Sequence, residues 1–468
     1  MEAPTCPGCR EREARLAEHA ARIAALEEEV RQLKALLRRN ASNSSLPPSA
    51  NPPAAPPPVI KPKTGRRPGG QPGHPPHLKQ LLPPERVTRT LTFVPAQCQH
   101  CQAPLPAQAG PDDPEPTRFQ TADLPPVRAE VIEYQGHARR CPCCGEVTRQ
   151  AIPAEYCRHS IGPGLAAALG YLAGCHQVSK RGLEEIAETL FEVPLALGTV
   201  ANLEQELSAA LAPAHVEAVQ AVRQAPAKHA DETGWKKQGQ KCWLWVAATA
   251  QVAAFTVQAG RGLAGLAALL GAPSRGVVVS DRWCAYRHLP VYRRQLCWAH
   301  LRRDFQGLID LGGEAGRYGL ELELFAEDVF HGWYRVRDGT LTRASLRASV
   351  DGQRPWLRDL LRRGSASGCA KTAALCGQLL ALEPALWTFV RREGVEPTNN
   401  HAERVLRKAV LWRKKSFGCV SEGGCRFVER ILTAVQTLRL QGRPVWHFLQ
   451  QSLAAHRAHR PAPSLLPG

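Results

Sequence analysis

The chain has 468 residues, carries a formal net charge of +18 and is 44% hydrophobic. That length exceeds the usual reach of one hydrophobic core, so two or more folded units joined by linkers are expected. No apolar run approaches the roughly 20 residues that cross a bilayer, which removes a membrane-spanning role.

The charge is clustered. Ile60 to Thr90 holds seven Lys/Arg against one acid, and Arg391 to Arg460 holds fourteen against five. A uniformly basic surface serves solubility, whereas two separated basic blocks in a multidomain chain favour a polyanion such as double-stranded DNA. Sixteen cysteines raise the question of disulfides. No signal peptide opens the sequence, however, and several cysteines stand as Cys-x-x-Cys pairs, so a reducing cytoplasm is expected.

In chain order, residues 9–39 show a seven-residue apolar period. Leu16, Ile23, Val30 and Leu37 share one position, and Leu26 and Leu33 fall three residues after the second and third. β-branched residues at a with Leu at d predict a parallel two-stranded coiled coil, a leucine zipper, and hence a homodimer or higher assembly; a lone amphipathic helix is the alternative. Cys6 and Cys9 abut this segment, where two subunits could jointly supply four sulfurs. Residues 40–80 form a Pro-rich basic linker. Within it KPKTGRRPGGQPGHPPH keeps a slim backbone, so Arg66 and Arg67 either enter a minor groove or decorate a solvated linker.

Residues 85–155 carry CQHC and CPCCG. Thiolates at this separation predict a four-cysteine zinc-binding domain with Cys98, Cys101, Cys141 and Cys144 as ligands, Cys143 being an alternative to Cys144. The distance between the two knuckles exceeds the common range of about 15 to 20 residues, so a hairpin or two must fill it. Residues 160–215 have helical apolar spacing, with a break at Val193 to Gly198. This order reads as a helix-turn-helix whose second helix, Thr199 to Leu207, would enter the major groove; having no Arg or Lys there, it equally fits a plain helical hairpin.

Past Ala227 the period changes. Residues 228–237, 241–250 and 252–259 read as consecutive strands, Gly262 to Leu270 as a helix, and GVVVSD as a strand buried on both faces and ending in Asp281. This β-β-β-α-β order, with Asp231 on the first strand, is that of a ribonuclease H-like core, a mixed five-stranded sheet with helices. Adjacent strands would let Asp231 and Asp281 face each other across a divalent cation. Two ions about 4 Å apart serve phosphodiester displacement and need further hard oxygen ligands. Glu403 is the candidate: it falls in the early turns of a helix capped by Thr398 or an Asn. It is followed by Arg404, Arg407, Lys408, Arg413, Lys414 and Lys415, with no intervening acid, a run suited to DNA phosphates. Singly, each acid is as well explained by a turn or a surface ion pair. The long gap between Asp281 and Glu403 predicts a helical insertion over 311–395, with 225–310 and 396–455 completing the core and its C-terminal helices.

The leucine-zipper start, GGQPGH at Gly69, the paired cysteine knuckles, DETGW at Asp231, SDRWCAY at Asp281, CWAHLRRDF at Cys297 and NNHAER at Asn399 together resemble the bacterial insertion-sequence transposases with an Asp-Asp-Glu triad, of the type called family sixty-six. The resemblance covers nearly the whole chain. It implies a DNA nuclease and strand transferase in which Asp231, Asp281 and Glu403 bind Mg2+ or Mn2+, in a nucleoid-associated protein that works with or without accessory proteins of the same element. Cys297 and His300 match a Cys-x-x-His signature near such active sites, where packing is the safer reading. The chain departs from the family pattern at Cys143 and in SFGCVSEGGCRF, where cysteines replace expected small residues. Two other functions compete: a zinc-containing DNA-binding regulator without activity, and a ribonuclease H-like structure-selective nuclease that never joins strands.

Overall fold

In a computed structural model, the described residues are 81–467 except Ala109 and Pro126, together with Ala21, Arg22, Leu26 and Val30. The segment 9–39, expected to form a coiled coil, is thus described only at those four positions, which are helical, with Leu26 and Val30 each 46% exposed. Cys6, Cys9, Arg66 and Arg67 lie outside the described residues. No described helix is long and apolar enough to cross a membrane.

The described residues divide into two compact units, 81–128 and the residues from Ala129 onward. The division falls inside the 85–155 segment expected to form one zinc domain. Within the first unit the Cys98 knuckle is closed by the Gln102 N–H, which donates to the Cys98 carbonyl at 2.9 Å. Within the second, strands β1 (Ala138–Arg140) and β2 (Val147–Arg149) form an antiparallel hairpin around the Cys141 knuckle.

Four helices follow: α1 (Pro163–His176), α2 (Lys180–Phe191), α3 (Leu197–Ala210) and α4 (Ala212–Gln224). Ser179 caps α2 by accepting the Gly182 N–H, and Glu192 ends it in a left-handed conformation. The connectivity of α2 and α3 is that of the expected helix-turn-helix. Yet Val200, Leu207 and Ala210 of α3 are buried in the core, Glu204 pairs with Lys180, and Glu206 with Arg457. Its exposed positions, Leu197, Gly198, Asn202, Gln205 and Ala209, bear no cation.

The central sheet has the order β5-β4-β3-β6-β7. β3 (Ala227–Lys237), β4 (Gln240–Ala248) and β5 (Ala253–Gln258) form an antiparallel meander; β6 (Val277–Ser280) runs parallel to β3, and β7 (Arg294–Leu296) parallel to β6. Helix α5 (Leu263–Leu270) makes the crossover from β5 to β6. β4 explains why both faces are covered: Trp245 and Ala247 enter one core cluster, while Cys242, Leu244, Val246 and Ala248 enter another, as the two-residue period of a strand requires. This mixed α/β architecture is compatible with the expected core.

The edge strand β5 is closed by a helix rather than by another strand. Helix α11 (Glu422–Leu440) presents Glu429, Thr433 and Thr437, whose side chains accept the N–H groups of Val257, Phe255 and Ala253 at 2.6, 3.0 and 3.0 Å. Four helical residues rise about 6 Å and two strand residues about 6.8 Å, so this antiparallel match holds for three steps. Unpaired edge groups that would otherwise template aggregation are thereby satisfied.

Between β7 and the last core helices lie α6 (Trp298–Ile309), α7 (Gly313–Arg337), α8 (Arg343–Ser365) and α9 (Ala370–Ala381), of which the last three fall in the segment 311–395 expected to be helical. Its core joins Trp298, Phe325, Trp333 and Trp387 to the β6 residues Val277 and Val279. Helices α10 (Asn400–Ser416), α11 and α12 (Val445–Arg457) complete the chain.

Candidate active site

The β3–β6 ladder pairs His229 with Val279, and Asp231 and Asp281 each stand two residues beyond that pair. The two carboxylates therefore leave neighbouring parallel strands at the same level. Asp231 Oδ1 accepts the Glu232 N–H at 2.9 Å, and Asp281 Oδ1 accepts the Trp283 N–H at 2.8 Å. Burial first, then the charges of Glu232, Asp281 and Glu403, raise the Asp231 carboxyl well above its ordinary value. Glu403 thus reaches the same electrostatic neighbourhood from far along the chain. Its Oε1 lies 3.3 Å from Arg303 and 3.5 Å from His300 Nδ1. Among the described residues, no group of three or more His, Cys, Asp or Glu side chains is drawn together closely enough to hold a metal ion as it stands. The donors are nonetheless of the kind a hard divalent cation takes, and the raised proton affinity of Asp231 marks a place where negative charge lacks compensation.

Asn399 brings Glu403 into position. It occupies the cap of α10, but its side chain makes no capping bond. Instead Nδ2 donates to the Ala230 carbonyl at 2.8 Å, and the Asn399 N–H donates to Cys297 Sγ at 3.0 Å. The expectation of a capping Thr398 or Asn is met in position and not in chemistry. Cys297 is buried, its thiol pushed up to about 12 by burial, so it packs and accepts a hydrogen bond. His300 faces Glu403 rather than joining Cys297, and burial lowers its proton affinity.

Glu232 was not singled out by sequence. It is 8% exposed and receives bonds from Arg261 Nε at 2.8 Å and Tyr286 Oη at 2.9 Å. The Arg261 guanidinium in turn lies 3.7 Å from the centre of the Trp283 ring. Glu232 therefore ties β3 to the turn that follows Asp281. Arg294 is a second hidden member: it is 1% exposed and donates to the Asp281 carbonyl at 3.4 Å, with Nε and Nη1 unpartnered. The adjacency of Glu232 to Asp231 was the one available sequence signal for either.

The basic run on α10 divides. Arg404, Arg407, Lys414 and Lys415 are exposed and Lys408 is partly so. Arg413 departs from the expected phosphate-binding role, because its Nη1 donates to Thr233 Oγ1 and to the Gly234 carbonyl, both at 2.8 Å, holding α10 to β3. Of the cysteine knuckles, the Cys98 thiol is lowered chiefly by the Cys101 N–H and that of Cys141 chiefly by the Cys144 N–H.

Asp231 and Asp281 thus stand on neighbouring strands of a mixed sheet, and the helix that bears Glu403 also carries exposed cations, a make-up compatible with a protein that works on a polyanion. Residues 158–426 match the transposase IS66 family, and the chain belongs to that family. All three acids lie inside the matched span. Residues 1–80 match a family of unknown function, DUF6444. The chain is also 29% identical over 243 residues to the uncharacterized protein y4qI of Sinorhizobium fredii (strain NBRC 101917 / NGR234), a match covering 46% of this chain and 43% of that protein. The match thus spans less than half of that relative's length.

Proposed function

We propose that the protein cuts DNA at the ends of an insertion sequence and joins the freed ends to target DNA, with Asp231, Asp281 and Glu403 as the catalytic carboxylates on a ribonuclease H-like core. The observation that carries this reading is the β3–β6 register, which sets Asp231 and Asp281 at one level on neighbouring parallel strands, with the Asn399 amide joining the start of the Glu403 helix to Ala230. In it, the three side chains hold Mg2+ or Mn2+, which when bound supplies Lewis acidity to the attacking and leaving oxygens. Water attacks the phosphorus at the element end, the bond to the 3′ oxygen breaks, and a 3′-hydroxyl and a 5′-phosphate result. That hydroxyl then attacks a target phosphodiester at the same site and displaces the target's own 3′ oxygen.

The protein's own residues contribute placement and charge. Asn399 and Arg413 hold α10, and so Glu403, against β3. Exposed Arg404, Arg407, Lys408, Lys414 and Lys415 meet phosphates, which makes affinity fall steeply with salt. Zinc binding by the cysteine knuckles, and dimerisation through residues 9–39, complete the reading.

The test supplies Mg2+, a duplex carrying the element's terminal repeat and a plasmid target. Joined products are expected. Cutting without joining would favour the structure-selective nuclease, and binding without cutting the DNA-binding regulator.

A further inference from the structure

The turn between α10 and α11, residues 417–421, holds Cys419, and the first turn of α11 holds Cys425. Both cysteines are free, Cys425 buried and Cys419 partly exposed. Cys419 Sγ lies against the first turn of α11, 3.9 Å from where a Cβ on Gly424, the residue before Cys425, would stand, and the Cys425 thiol lowers the proton affinity of the Cys419 thiol. Cys419 Sγ also accepts Trp235 Nε1–H at 3.3 Å. The turn lies directly on the end of β3: the Cys419 N–H donates to the Lys236 carbonyl at 2.8 Å, and the Gln238 N–H to the Cys419 carbonyl at 2.9 Å. Gly418, at φ 119°, passes so close that a Cβ there would collide with the Lys236 carbonyl. On either side, Phe417 and Val420 are exposed, which leaves Cys419 within reach of a small molecule.

We propose that Cys419 and Cys425 form a reversible disulfide, made by exchange with a low-molecular-weight disulfide such as oxidised glutathione, which pins the α10–α11 turn in its seat on β3. The Cys419 thiolate attacks one sulfur of glutathione disulfide and expels one glutathione thiolate, giving a mixed disulfide. Cys425 then loses its proton to solvent and attacks the Cys419 sulfur, releasing the second glutathione thiolate. Two protein thiols are oxidised by two electrons and one glutathione disulfide is reduced to two thiols. The roles are unequal because only the attacking thiol needs access to the oxidant. Cys419 is the partly exposed member, and its proton affinity is lowered, chiefly by the Cys425 thiol. Cys425 is 2% exposed and serves only as the resolving thiol.

A peptide map of the full chain, equilibrated with oxidised glutathione and then alkylated, tests this. Trypsin releases Ser416 to Arg426, which contains both cysteines and no other. That peptide should be two hydrogens lighter, resist alkylation, and recover both labelling sites after dithiothreitol. Alkylation of both cysteines, a link to the Cys242 peptide, or glutathione persisting on the wild-type peptide would each overturn the proposal. As a second readout, Cys425→Ser should keep one glutathione on Cys419, while Cys419→Ser should react at Cys425 roughly tenfold more slowly than wild type reacts at Cys419. Equal rates would also overturn it.

Discussion

The side-chain amide of Asn399 donates to the carbonyl of Ala230 across 2.8 Å, joining the start of the helix that bears Glu403 to the residue before Asp231. Asn399 is fully buried, so the bond is sheltered from water. Replacing it with Ala leaves the Ala230 carbonyl without its partner, at a cost of about 1–3 kcal/mol. Urea unfolding should show this loss. Asn399→Asp should be no better, because a carboxylate cannot donate; a simple helix cap would tolerate Asp well.

Asp231 gives the site a pH signature. Its proton is held more tightly in the folded protein than in the unfolded chain, where the ordinary value is 3.8. The stability it contributes is complete below that value and is lost as pH rises through the folded one. At neutral pH, in a chelator, Asp231→Asn should therefore melt higher than wild type. Mg2+ should raise the melting temperature of wild type and leave that of the variant unchanged; equal gains in both would remove Asp231 from the ion's ligands.

The cations of α10 should separate into two kinds. Lys414→Ala with Lys415→Ala should reduce the slope of log affinity against log salt by up to about 0.9 for each phosphate no longer neutralised, with unfolding unchanged. Arg413→Ala should do the opposite: its bonds to Thr233 and Gly234 vanish, stability falls by about 1–3 kcal/mol, and the salt slope stays. Salt titrations of binding, paired with urea curves, distinguish them.

Thr433→Val keeps shape and removes the acceptor of the Phe255 N–H. An orphaned buried donor costs about 1–3 kcal/mol, and the strand edge becomes available to other chains. Lower stability with concentration-dependent aggregation is expected by light scattering; a variant as stable and monodisperse as wild type would mean the helix does not guard that edge.

The strands, the crossover helix and the helical insertion were legible because each is set by local period and turn residues, and β6 declared itself by a run of valines. Asp231, Asp281 and Glu403 are candidates for the same reason: each sits at a recognisable point of an element. The connections that seat them were not. Asn399 looks like any helix cap until its side chain is seen to reach β3, and Arg413 looks like its exposed neighbours Lys414 and Lys415. The role of Glu232 depends on Tyr286 and Arg261, which only the folded sheet brings to it. Such partners are separated by long stretches of sequence, and neither periodicity nor spacing carries them. Helix α3 is open to both of its readings by sequence, a DNA-reading helix or a plain hairpin, and its apolar face packs in the core.

The most direct measurement is Mg2+-dependent cutting of element-end DNA by wild type and by Asp231→Ala, Asp281→Ala and Glu403→Ala, with DNA binding measured in parallel. The account predicts that each substitution lowers the rate of cutting by about a thousandfold or more, as loss of several kcal/mol of transition-state stabilisation implies, while affinity for DNA is retained. Undiminished cutting by any one of the three would contradict it.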